Sequence, residues 1–264
     1  MSKDGIAFRH FIKEAAYYIA RYNRPYKKTI VFDKKDTQVI AHRGLSGIEL
    51  ENTVPSFHLA GKLSYYGIET DVHKSADGKY VVIHDDTTAR VSLADFAVER
   101  TSSEVLRQVK LNSPYGSVSN DYYIPFLEEY IRICKQYGKI AILELKNRFE
   151  EADIIEIAEL IKREGYLDRT TFISFDLSNL LSLRLNYPEQ EAQFLTCRYS
   201  NDLITTLTEY KLDLDIYFRE LNGERINALH KKGIKVNCWT VNSKRAAERL
   251  AAWGVDYITT NILE

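Results

Sequence analysis

Short apolar segments alternate with helix-patterned segments from residue 38 to the C-terminus, and this alternation restricts the chain to a parallel α/β architecture. The strand-like segments are 38–42, 66–72, 79–84, 139–145, 170–174, 192–197, 234–239 and 255–259. Helical patterns fall near 53–63, 126–137, 150–164, 177–186, 201–209, 223–232 and 243–253. Eight strands with helices between most of them predict closure into a TIM (β/α)8 barrel, and the 264 residues fit the roughly 250 such a barrel takes. Several strands are apolar on both faces, as a sheet requires when one face meets the barrel interior and the other meets helices.

Two places break the alternation. Lys74-Ser75-Ala76-Asp77-Gly78 is too short for a crossover helix, and Asp77-Gly78 is a turn signal, so the step from the second strand to the third reads as hairpin-like. From about 85 to 125 the chain is polar and irregular, with Pro114, Gly116 and Asn120. Insertions of this kind are expected over the active-site face, where they shape access. Residues 1–35 form a separate N-terminal helical extension ahead of the barrel domain at 36–264. Its residues Ile6, Phe8, Phe11, Ile12, Ala15, Ala16, Tyr18 and Ile19 recur at helical spacing, and Pro25 ends the helix. We read it as a barrel cap or subunit contact. Peripheral lipid contact is the alternative, and Asp4 and Glu14 dilute the basic face it would need.

Charge recurs at the C-terminal ends of four apolar segments. His42-Arg43-Gly44 follows Val39-Ile40-Ala41, Glu69-x-Asp71 follows Tyr66-Gly67-Ile68, His84-Asp85 follows Val81-Val82-Ile83, and Glu144-x-Lys146 follows Ile140-Ala141-Ile142-Leu143. A single Glu-x-Asp would normally be a solvated face, and a single His a structural residue. Four such ends together predict one active site at one end of the barrel.

Residues two apart on a strand share a side, so Glu69 projects with Asp71 and Glu144 with Lys146. Converging carboxylates need neutralising, and a hard divalent cation, Mg²⁺ or Ca²⁺, does this while leaving positions for a phosphate. Zinc is disfavoured because no Cys or His cluster accompanies them. His42 and His84 can divide general-base and general-acid work near neutral pH. Arg43 and Lys146 supply fixed positive charge suited to a phosphodiester. The set describes phosphoryl chemistry better than sugar or acyl chemistry. His73 shares the face of Glu69 and Asp71 but lies beyond the strand, and a turn or supporting role is expected of it. His10, His58 and His230 fall on helical patterns as packing or surface residues.

A net charge of −1 gives no reason to expect nucleic acid or acidic membrane as a partner. No stretch approaches the ~18 apolar residues of a membrane span, and the N-terminus lacks a signal-peptide apolar region. The odd, widely spaced Cys134, Cys197 and Cys238 argue against a disulfide framework, with Cys238 expected buried in a strand. A cytoplasmic location is the expectation; oligomeric state is left open.

His42-Arg43-Gly44, Glu51-Asn52-Thr53, Glu69-x-Asp71-Val72, Asp77-Gly78, His84-Asp85, Glu144-x-Lys146, Ser174-Phe175 and Trp239-Thr240-Val241-Asn242 occur in an order that resembles the glycerophosphodiester phosphodiesterase family. The resemblance spans about 38–260. It implies a TIM barrel with a small insertion after the third strand, a divalent cation on Glu69, Asp71 and Glu144, and His42 and His84 as the acid–base pair. It also implies Arg43 and Lys146 on the phosphate and Trp239 at the mouth, with Glu51 orienting the His42-Arg43 turn. The implied reaction is metal-dependent hydrolysis of a small-molecule glycerophosphodiester to sn-glycerol 3-phosphate and an alcohol. A lysophospholipase D-like lipid phosphodiesterase and a catalytically silent phosphodiester-binding protein are the alternatives. Many relatives carry Pro at the position of Leu50, and Asp and Pro near Asn261 and Leu263; these differences remove no proposed ligand but question an acidic role near Asn261.

Overall fold

Eight parallel strands close on themselves in the computed structural model, which describes residues 26–112 and 120–264. The barrel strands run in the order β1 (Gln38–Ala41), β2 (Gly67–Lys74), β4 (Ile140–Leu145), β5 (Thr170–Ser174), β6 (Ala192–Thr196), β7 (Asp213–Tyr217), β8 (Val236–Trp239) and β9 (Tyr257–Thr260). Closure comes from β1, which pairs in parallel with both β2 and β9. The expected TIM barrel is therefore correct. Its strand list needs two corrections.

Segment 79–84 is not a barrel strand. Its core, β3 (Tyr80–Val82), pairs antiparallel with the end of β2, placing Val82 opposite Val72 and Tyr80 opposite Lys74. The hairpin read from Asp77-Gly78 is present, with Gly78 at φ 77° in the turn. The remaining barrel strand is β7, which the sequence pattern does not single out. Its outward residues Leu214 and Ile216 are buried under the helices, whereas Asp213 and Asp215 alternate with them. Two inward aspartates make the segment look polar, and only the closed barrel shows where they go.

Helices α1 (Val54–Gly61), α3 (Leu127–Tyr137), α4 (Glu151–Arg163), α5 (Leu177–Asn186), α6 (Leu203–Glu209), α7 (Gly223–His230) and α8 (Lys244–Ala252) match the seven helical patterns. In α3, Leu127, Tyr130, Ile131 and Cys134 form one buried stripe, and Gly138 in the left-handed region ends the helix. Removing one such large core side chain typically costs ~2–5 kcal/mol. The Tyr130 hydroxyl donates to the Ile68 carbonyl at 2.7 Å, which fixes β2 one residue before Glu69.

The excursion between β2 and β4 builds a small apolar core of its own from Val81, Ile83, Val91, Val98, Leu106, Val109 and Ile124. It includes α2 (Ser103–Gln108), which the sequence pattern does not predict. Asp77 in the hairpin turn receives the Ser103 amide and hydroxyl at 2.8 and 2.7 Å, so α2 is docked on the turn. Pro114 and Gly116 lie outside the described residues, as does the expected N-terminal helix up to Pro25. From Tyr26 to Thr37 no helix forms; Ile30 instead exchanges backbone hydrogen bonds of 3.0 Å with Ile262 and Glu264. Among the described residues, no helix is long and apolar enough to cross a membrane.

Candidate active site

β2 and β4 pair in a register that sets Asp71 opposite Glu144. Strand alternation then turns Glu69, Asp71 and Glu144 into the barrel together, with Lys146 just past the end of β4. One oxygen from each carboxylate lies within 4.8 Å of the others, and all three residues are buried. Lys146 Nζ stands 2.8 Å from Glu144 Oε1 and 3.4 Å from Asp71 Oδ1, an ion-pair contact to each. Burial, reinforced by Asp71, pushes the Glu69 carboxyl well above the usual carboxylate range. Burial also lifts Glu144, to about 7, against the pull of Lys146. Asp71 is pushed up by burial too, yet Lys146, Arg43 and the amide of Asn52 together hold it well below the ordinary value.

One lysine ammonium does not offset three buried, converging carboxylates, and a cation among them would. The donor set is all hard oxygen, which fits Mg²⁺ or Ca²⁺ and not a nitrogen–sulfur zinc site.

The chain leaves β1 through a constrained turn. Arg43 at φ 54° and Gly44 at φ 72° are both left-handed. For Arg43 this costs ~1–2 kcal/mol, and its amide is held there by Glu69 Oε2 at 2.7 Å. Only glycine fits next, because a Cβ on Gly44 would come within 2.3 Å of Ser56 Oγ. The Arg43 guanidinium lies 3.0 Å from Glu51 Oε1 and 3.5 Å from Asp71 Oδ2. Asn52, also left-handed at φ 54°, donates to Asp71 Oδ2 at 2.7 Å and accepts from the Thr70 hydroxyl at 2.7 Å. The capped N-terminus of α1 thus sets both the phosphate-side arginine and one carboxylate.

His42 donates from Nδ1 to Asn261 Oδ1 at 2.7 Å, which leaves Nε2 facing Glu69 Oε2 at 3.9 Å. His84 donates from Nδ1 to Asp85 Oδ1 at 2.6 Å. Burial, then the charge of Arg43, lowers His42 to about 3 and His84 to about 4, so both rings are neutral near pH 7. Each then carries a lone pair on Nε2.

Trp239 ends β8 and meets Phe175 edge-on at 5.7 Å and Tyr217 at 5.9 Å between ring centroids. Its indole Nε1 is buried with no hydrogen-bond partner. His73 lies below His84, with Nε2 3.3 Å from the His84 carbonyl and Nδ1 3.2 Å from Glu99, a supporting place as expected. His58 contacts the Tyr137 hydroxyl at 3.1 Å and His230 contacts Asp256 at 2.8 Å, both away from the site.

Four contributors escape the sequence reading. Asn52 and Asp85 stand inside recognisable motifs but carry no signal of what they hold. Asn261 takes a hydrogen-bonding place at His42 with a neutral amide where an acid was in question. Arg90 lies in the irregular excursion, and nothing nearby in sequence marks its partners.

The chain matches the model of the glycerophosphoryl diester phosphodiesterase family over residues 42–264. YhdW of Bacillus subtilis, assigned provisionally to this activity, is 31% identical over 229 residues, covering 84% of this chain and 93% of that protein. The glycerophosphodiester phosphodiesterase of Caldanaerobacter subterraneus is 28% identical over 228 residues, covering 85% and 94%. A phosphodiesterase of Oleispira antarctica, solved with its product sn-glycerol-3-phosphate, superposes with a TM-score of 0.80 at 30% identity, covering 85% of this chain and 92% of that one. The chain belongs to the glycerophosphoryl diester phosphodiesterase family and is a hydrolase of glycerophosphodiesters.

Proposed function

We propose that this enzyme releases sn-glycerol 3-phosphate and an alcohol by acid–base catalysis between His42 and His84, with Glu69, Asp71 and Glu144 holding a divalent cation. The observation that carries the reading is the buried carboxylate triad, with one oxygen of each within 4.8 Å of the others, set between two neutral histidines. A bound cation would polarise a non-bridging phosphoryl oxygen and offset charge gained in the transition state. Arg43 and Lys146 orient the phosphate and take up its charge. That neutralisation matters to the histidines, since Arg43 is what depresses both after burial, and an anionic substrate relieves it. One Nε2 takes the proton of the attacking hydroxyl, from water or the neighbouring glycerol oxygen, as the new P–O bond forms. The bond to the alcohol oxygen breaks, and the other imidazole, protonated at Nε2 once the anionic substrate offsets the charge of Arg43, supplies that oxygen's proton; where the glycerol oxygen attacks, water then opens the cyclic phosphate to sn-glycerol 3-phosphate. Trp239, with Phe175 and Tyr217, walls the mouth where the organic part of the substrate lies.

The test is release of the alcohol by chelator-treated protein, with and without added Mg²⁺ or Ca²⁺, across a panel of glycerophosphodiesters and lysophosphatidylcholine, with glycerol 3-phosphate measured as the co-product of the water-soluble diesters. Cation-dependent release from glycerophosphocholine or a similar water-soluble diester is expected. Release without cation, or preference for the lysolipid, contradicts it.

A further inference from the structure

Arg90 belongs to no strand or helix, yet its guanidinium is clamped between two carboxylates. Its Nε and one terminal nitrogen lie 2.5 and 3.1 Å from the two oxygens of Asp85. Its terminal nitrogens also reach both oxygens of Glu51 at 3.0 and 2.6 Å. Asp85 Oδ1 is the atom that accepts from His84 Nδ1, and Glu51 Oε1 is the atom that receives Arg43. The links therefore run without a break from His84 through Asp85, Arg90 and Glu51 to Arg43.

Glu51 is 3% exposed, a carboxylate that burial would neutralise were it not bracketed by two guanidinium groups. Arg90 also shares Asp85 with His84, so the ring is held in one tautomer while the carboxylate's charge is already partly matched. A planar fork can grip two carboxylates at once; an ammonium is a single point charge and cannot.

We propose that Arg90 is a positioning residue that fixes His84 and Arg43 relative to each other. Resting on the His84 and Arg43 roles given above, this assigns the excursion a part in the chemistry besides access. Misplacing reacting groups by about 1 Å can cost 100-fold, so R90Q is expected to lower kcat by about 10- to 100-fold. Cation affinity, read by calorimetry without substrate, should fall less than kcat, because Arg90 reaches the triad only through Glu51 and Arg43.

Steady-state kinetics, calorimetry and thermal melting of wild type, R90Q, R90K, D85N and the R90Q/D85N double variant test it. R90K should recover only part of the lost kcat, and the double variant should fall little below the worse single, since both cut one chain of contacts. A kcat for R90Q within about threefold of wild type, or losses that multiply in the double variant, overturns the inference while leaving the reaction assignment intact. If R90Q does not fold, R90K decides: lowered kcat at a wild-type melting temperature supports the proposal, and unchanged kcat overturns it. Absence of cation-dependent release by the wild type overturns the reaction assignment, and this inference with it.

Discussion

Two polar layers inside one barrel make opposite use of burial. In the deeper one, Asn237 donates to Gln193 at 3.2 Å and accepts from Thr259 at 3.1 Å, a neutral set whose members satisfy one another. Asp215, opposite Asn237 in register, is pushed well up by burial and then by Glu144, and its Oδ1 has no hydrogen-bond partner. Nearer the mouth, Glu69, Asp71 and Glu144 crowd together, three buried carboxylates that share the single ammonium of Lys146 and the guanidinium of Arg43. Three carboxylates against so little positive charge favour a cation from outside the chain. On the proposed reading the deeper layer serves stability and the upper one chemistry.

Breaking the upper layer should affect turnover far more than stability. H42A and H84A should each lower kcat by about 10²–10⁴-fold, the usual contribution of a general acid or base, with wild-type circular dichroism. Loss of less than tenfold in either would break the assignment. Glu69→Gln should act mainly through the cation. Its turnover should fall by orders of magnitude, and calorimetry should find cation binding weakened.

Removing and restoring the cation sharpens the contrast further. A ligand at 100 times its Kd stabilises the folded state by about 2.7 kcal/mol. Mg²⁺ or Ca²⁺ should therefore raise the melting temperature of wild type but not of Glu69→Gln. The effect should depend on pH in a defined direction. A proton and the cation compete for Glu144, whose carboxyl sits at about 7 without a cation. Apparent affinity should rise as pH climbs through 7, roughly tenfold per unit for the Glu144 proton and more steeply where Glu69 must also lose one. An affinity flat from pH 6 to 8 would remove Glu144 from the ligand set.

The lower layer predicts the smallest change in activity. N237L strands the Gln193 and Thr259 side chains and should cost about 1–3 kcal/mol in denaturant unfolding. Its kcat should stay within a few-fold of wild type; a collapse in turnover with unchanged stability would place Asn237 in the chemistry.

What could be read from sequence follows the same division. Glu69, Asp71, Glu144 and Lys146 were legible because strand alternation alone decides which way they point, and β2 and β4 are long enough to show it. His42 and Arg43 were legible because they directly follow an apolar strand. β7 was not, since Asp213 and Asp215 look like surface until closure turns them inward. The 79–84 segment looked like a barrel strand because Val81 and Ile83, buried in the excursion's own core, resemble barrel residues. Asn52, Asn261 and Arg90 act through partners 19, 219 and 39 residues away, distances over which a single sequence carries no pairing signal.

The most direct measurement is a crystal structure of the wild type grown with Mn²⁺, read by anomalous scattering. One peak enclosed by the carboxylates of Glu69, Asp71 and Glu144 is predicted, lost in Glu69→Gln. A peak elsewhere, or none with the triad still converged and buried, would contradict the assignment of these residues to a cation.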